Sequence, residues 1–197
     1  MRTEGKRAAA TEATRRRIIA AAREVLATRQ WQHFTVEAVA NRAGVTRVTV
    51  YNQVRSKRGL LEAVLTDLTE RARMDQLLTD TRHLLAADAC AEIVRRTCRF
   101  WHTERDILRP VFGLAGVDQE VASVLAHREQ WREDQLKHLL ERLAAEAGPP
   151  AFAPADLLAA AVAVTSFPTY DRLGQLADNP ERAAHVISHL VRSLTDP

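Results

Sequence analysis

The 197-residue sequence contains no apolar run of roughly 18 residues, the length a bilayer span requires, so no membrane-spanning helix is expected. No hydrophobic signal segment opens it either. Residues 1–17 are polar and basic, which implies a cytoplasmic location. Cysteine is scarce: Cys90 and Cys98 are the only two. On one helix, eight residues of rise would set them about 12 Å apart, too far to bridge, so both are expected to be reduced and structural. A phosphate-binding glycine loop, a zinc-protease helix motif, a nucleophile elbow and a Cys-x-x-Cys pair are all absent, so the chain is not expected to be an enzyme. His185 with His189, and Asp134 with His138, have the i,i+4 spacing of a metal pair but no third ligand nearby. No metal or cofactor is expected. Alternating β-branched residues are rare and no internal repeat is present.

Charge is present but unevenly spread. Residues 1–60 hold 13 Lys/Arg against 4 Asp/Glu, whereas residues 61–197 hold 15 against 21. A basic first third on an acidic remainder suggests a polyanion-binding module joined to something else. The basic residues interleave with an ordered apolar pattern, so a disordered basic tail is an option only for residues 1–11.

Nearly everything reads as helix, since Ala, Leu, Arg and Glu dominate. A first helix is expected over about residues 11–28, with Ile18, Ile19, Ala22, Val25 and Leu26 on one face. Thr35 caps a short second helix that Gly44 ends, Thr46 caps a third through about Asn52, and Ser56 caps a fourth that extends as far as Leu78. Further helices are expected over about residues 88–102, 107–114, 118–147, 154–173 and 180–194. Pro110 falls in or near the first turn of its helix, and Gly148-Pro149-Pro150 ends the longest one. Pro168 should kink its helix or end it early.

Two short helices joined by a glycine-containing turn form a helix-turn-helix, whose second helix presents its N-terminal residues to the major groove. Val39, Ala40, Ala43, Val45, Val48 and Val50 are available to hold the two helices together. Thr46, Arg47, Thr49, Tyr51, Asn52 and Gln53 remain to face outward. That set carries no acid and can both donate to phosphates and read bases.

Residues 14–65 resemble the DNA-binding domain of the TetR family of bacterial regulators. The stretches that carry the resemblance are Thr14-Arg15-Arg16-Arg17-Ile18-Ile19-Ala20-Ala21-Ala22, Phe34-Thr35-Val36-Glu37-Ala38-Val39-Ala40 and Ala43-Gly44-Val45-Thr46-Arg47-Val48-Thr49-Val50-Tyr51. Ser56-Lys57 with Leu60-Leu61 completes them. The resemblance implies an all-α homodimer. Residues 1–60 would form a three-helix DNA-binding domain and residues 61–197 a helical ligand-binding and dimerisation domain. It implies a repressor released from a palindromic double-stranded operator by a mostly apolar small molecule. The implied DNA contacts are Thr35, Thr46, Arg47, Thr49, Tyr51, Asn52, Gln53, Arg55 and Lys57. Arg47 and Thr49 would face bases, and Tyr51 and Lys57 would grip the backbone. Departures from the family pattern are Gln53-Val54 in place of His-Phe, and Gln30 in place of glycine. Arg55 and Arg58 add cations that could shift the phosphate grip toward Arg55, Lys57 and Arg58.

For the second domain the resemblance implies a ligand pocket. Its candidate lining is Phe100, Trp101, Phe112, His127, Trp131, Phe167 and Tyr170, since aromatics with a few polar groups suit a mostly apolar cavity. Residues 154–167 are almost uniformly apolar, and a helix apolar all round must be buried on every side. With the last helix it would form a four-helix bundle between two protomers through Leu157, Val164, Ile187, Leu190, Val191 and Leu194. The competing function classes are a helical protein-binding adaptor and a helical enzyme without a recognisable motif.

Overall fold

The computed structural model describes residues 2–28 and 34–195, and every regular element in them is helical. Gln30 lies outside the described residues. In chain order the helices are α1 (Arg2–Ala27), α2 (Val36–Ala43), α3 (Arg47–Val54), α4 (Lys57–Arg71), α5 (Leu77–Thr81), α6 (Ala86–Thr103), α7 (Arg105–Ala115), α8 (Gln119–Ala147), α9 (Pro154–Val164), α10 (Phe167–Arg172) and α11 (Pro180–Thr195). None is long and apolar enough to cross a membrane.

The chain divides into two compact units. The first comprises Met1–Thr69 with Arg109–Leu125, and the second Glu70–Leu108 with Ala126–Pro197. The first break between them falls near the end of α4. Leu60, Leu61, Val64, Leu65 and Leu68 of α4 are buried in the first unit along with Ile18, Ala22 and Leu26 of α1, Phe34, Val39 of α2, and Val50 and Val54 of α3. Each fully buried aliphatic side chain contributes about 1.5–3 kcal/mol, so α4 cannot be divided from the helices it completes.

In the second unit α6 and α11 are the main helix pair, and α9 packs on α11. Cys90 and Cys98 are free and buried on α6, and burial pushes their thiols up to about 11 and about 12. They stay protonated at neutral pH and act as small hydrophobic residues.

Three helix boundaries differ from the sequence expectation. Helix α1 begins at Arg2 rather than near residue 11. Helix α4 ends at Arg71, because Arg73 adopts a left-handed conformation (φ 52°) and leads into a tight turn over Met74–Gln76. The Arg96 guanidinium holds that turn by donating to the Arg73 carbonyl at 3.0 Å and to Asp80 at 2.8 Å. The segment expected as one helix over residues 154–173 is two. The Ser166 hydroxyl accepts from the Thr169 amide and starts a new helix, with Pro168 in its first turn, where the missing N–H costs nothing. Pro110 sits in the second turn of α7.

Candidate nucleic-acid interface

The recognition element is built from local caps. Thr35 is extended, and its Oγ1 accepts from the Ala38 amide at 3.1 Å, which starts α2. Gly44 ends α2 in the left-handed region (φ 63°, ψ 39°), and its N–H returns to the carbonyls of Ala40 and Asn41. Two residues on, Thr46 Oγ1 accepts from the Thr49 amide at 3.1 Å and starts α3. The Thr46 and Thr49 hydroxyls also lie 2.9 Å apart. Each cap satisfies an N–H group that would otherwise have no partner at a helix start.

Only eight residues long, α3 buries Val50 and Val54 and leaves Arg47, Val48, Tyr51 and Asn52 exposed. Those four share one face, at positions i, i+1, i+4 and i+5. Thr49 and Gln53 flank it half-buried, and Arg55 is exposed just beyond. Val48, expected between the helices, is 67% exposed. The correction follows from phase: Val50 and Val54 define the inner face, and Val48 lies well around the helix from both. An exposed valine here is suited to the methyl group of a thymine, a contact type that reading for polar residues misses.

Around the face, Arg47 approaches Glu37 Oε2 at 3.6 Å with both side chains more than half exposed. Such a pair holds an arginine weakly. Lys57 is held more firmly: its Nζ donates to Asp118 Oδ2 at 2.8 Å. Asp118 also accepts from the amides of Glu120 and Val121 and so caps α8. The Lys57 ammonium and those amides hold the Asp118 carboxyl below the usual carboxylate range. Lys57, expected to grip DNA, is thus engaged by an acid. From α1, Arg15 Nη1 donates to the Gln53 carbonyl at 2.9 Å and closes the C-terminal end of α3.

Residues 18–64 match the family model for bacterial regulatory proteins of the tetR family. This segment belongs to the TetR family. A segment of 54 residues is 37% identical to the HTH-type transcriptional regulator AlkX of Mycobacterium tuberculosis, covering 27% of this chain and 26% of that protein. The match thus spans about a quarter of the mycobacterial relative. Among solved structures, a tetR-family regulatory protein from Rhodococcus RHA1 superposes with a TM-score of 0.71 at 18% identity, covering 93% of this chain and 97% of that one. GusR of Salmonella enterica gives 0.71 at 20% identity, over 93% and 95%. A Saccharomonospora viridis protein solved in complex with choline gives 0.66 at 13%, over 92% and 96%. At these identities the three show the fold alone, which this chain shares with them through its C-terminal helices.

The second unit brings together four of the expected ligand residues as packed core. Phe100, Trp101, Phe167 and Tyr170 are all at most 7% exposed. The Phe100 and Trp101 ring centroids lie 5.0 Å apart, and those of Trp101 and Phe167 5.7 Å. Their polar tips are satisfied internally, Trp101 Nε1 on the Thr165 carbonyl at 3.2 Å and Tyr170 Oη on the Ala177 carbonyl at 2.7 Å. His127 and Trp131 are exposed one turn apart on α8. Phe112 belongs to the first unit.

The expected dimer residues also separate. Leu157, Ile187 and Val191 are 4%, 2% and 1% exposed within the protomer. Their own chain already covers them. Val164, Leu190 and Leu194 retain exposure, as does Val186. Helix α9 buries only Leu157 and Ala161, so its remaining apolar face is open.

Proposed function

We propose that this TetR-family chain is a homodimeric transcriptional repressor of the cytoplasm, released from a palindromic operator by a mostly apolar small molecule. The first unit is the DNA-binding domain and the second the effector and dimerisation domain. The observation that carries the reading is the acid-free face of Arg47, Val48, Tyr51 and Asn52 on a helix capped at its start by Thr46. In this reading Arg47, Val48, Thr49 and Asn52 meet base edges, while Thr35, Thr46, Tyr51, Gln53, Arg55 and Lys57 hold phosphates. Two such helices related by a dimer axis reach half-sites about 34–36 Å apart, one turn of duplex. His127 and Trp131, exposed on α8, supply the effector contacts, as choline occupies the Saccharomonospora viridis protein of similar fold.

Binding to DNA from upstream of the chain's own gene, measured in a gel-shift assay against a mixed-sequence duplex, tests this. Arg47→Ala should weaken operator binding by about 1–3 kcal/mol, the value of a bidentate base contact, and change mixed-sequence binding less. Equal losses on both would reduce Arg47 to a phosphate contact. A releasing small molecule must itself bind more weakly, by the same factor, when operator is present. An effector insensitive to operator would break the release model.

A further inference from the structure

Helix α1 is longer than its domain needs. From Ile18 onward it buries Ile18, Ile19, Ala21, Ala22 and Leu26. Every residue over 5–13 is exposed. Those nine residues project about 14 Å of helix, at 1.5 Å per residue, beyond the part that packs. Its start is fixed in space, since Arg15 of α1 donates to the Gln53 carbonyl in the last turn of α3. The projecting segment therefore leaves the domain beside the C-terminal end of the recognition helix.

Alanine explains why it is helical. Ala8, Ala9, Ala10 and Ala13 extend a helix already nucleated by the core, so each adds a favourable residue without a new nucleus. Alanine does not explain the charge. Residues 5–17 carry Lys6, Arg7, Arg15, Arg16 and Arg17 against one acid, Glu12. Glu12 is taken by Arg16 at 3.8 Å. Arg15 is occupied at Gln53. No described side chain pairs with Lys6, Arg7 or Arg17.

We infer that this N-terminal helical extension is a second DNA contact, an arm that lies along the phosphate backbone flanking the sequence read by α3. The inference rests on the DNA-binding reading above and adds a surface to it. Its occupant is set by charge: cations with no described partner, on a helical extension beside the recognition helix, suit a duplex that carries one negative charge per roughly 1.7 Å of axis. Apart from Lys6 and Arg7 the arm over residues 5–13 is mostly alanine and glycine, and two cations lying along phosphates add affinity independent of sequence.

The test is the salt dependence of DNA binding by the full chain, on the operator duplex and on a mixed-sequence duplex. Lys6→Gln with Arg7→Gln keeps helix propensity and removes both charges. It should lower the slope of log affinity against log salt by about 1–2 units, near 0.9 per lost phosphate contact, and weaken both duplexes by the same factor. Lys6→Arg with Arg7→Lys should restore the slope. A duplex trimmed to the half-sites alone should erase the difference between parent and variant. An unchanged slope, or a loss confined to the operator, overturns the arm while leaving the α3 assignment standing. If the parent chain itself binds neither duplex in a salt-dependent way, the DNA-binding reading fails, and the arm with it.

Discussion

Asp118 accepts from three donors at once. One oxygen accepts from the Glu120 and Val121 amides, and the other accepts from Lys57 Nζ at 2.8 Å. Lys57 starts α4, directly after the recognition helix, where a phosphate would compete for the same ammonium. The hydrogen bond from Lys57 is the main reason that the carboxyl is held below its usual value of 3.8. A depressed carboxylate contributes stability above that value and loses it only as pH falls through the lower folded-state value. The pair is therefore intact across the neutral range, and in the proposed DNA complex a phosphate would compete with Asp118 for the lysine. Asp118→Asn keeps an oxygen to cap α8 but removes the charge. It should tighten DNA binding, by up to about fivefold, the ~1 kcal/mol ceiling for a pair exposed this much. Lys57→Ala should weaken binding and flatten the salt slope. Fluorescence anisotropy at matched salt reads both; an Asp118→Asn protein that binds no tighter than the parent would mean that the pair does not restrain Lys57.

Between α3 and α4 the backbone is tightly constrained. Arg55 has φ 64° and ψ −33°, and the Ser56 amide donates to the Val54 carbonyl at 2.7 Å, a three-residue turn that L-residues adopt only under strain. Ser56 Oγ then accepts from the Gly59 amide to start α4. A Cβ on Gly59 would fall onto the Val54 carbonyl oxygen, so only glycine fits. Gly59→Ala should cost at least about 1–3 kcal/mol in denaturant unfolding, because the obstacle is backbone and cannot rotate away. Wild-type stability in that variant would show that the junction can relax. The sequence makes some of this junction legible and hides the rest. Thr35, Thr46, Ser56 and Gly44 are readable because a cap or left-handed turn is a matter of three or four neighbouring residues. Gly59 is not, since its constraint comes from a carbonyl across a turn whose geometry the sequence does not state. Val48 misleads because two helical turns contain too few apolar residues to fix the phase. The break at Thr165 is signalled by Ser166 and Pro168, but the uninterrupted apolar pattern before them hides it. Arg73 carries no local signal for its left-handed conformation at all.

At the scale of the molecule, the proposed operator recognition requires two copies, and the remaining apolar surface suggests where they would meet. Helix α9 carries no charge after Asp156 and leaves Ala159 and Ala163 exposed, with Leu158, Val162 and Val164 half-covered. It packs on α11, where Val186 and Leu190 are 38% and 44% exposed. Two apolar helices side by side, open on one face, form a patch that a twofold axis can match to itself. Leu190 and Val191 are adjacent in sequence but separate the two forces at work. Val191, 1% exposed, belongs to the protomer core, whereas Leu190 belongs to the open face. Leu190→Glu should leave the protomer folded and place a charge where the partner must dry the surface, weakening the dimer by at least about thirtyfold, or ~2 kcal/mol. Val191→Ala should do the reverse, costing fold stability through a cavity while the protein still sediments at twice the 22.0 kDa chain mass. Analytical ultracentrifugation with parallel circular dichroism distinguishes them. A Leu190→Glu protein that remains a dimer with the parent's affinity would move the interface off α9 and α11. The spacing of the two recognition helices would then have to be set by another surface.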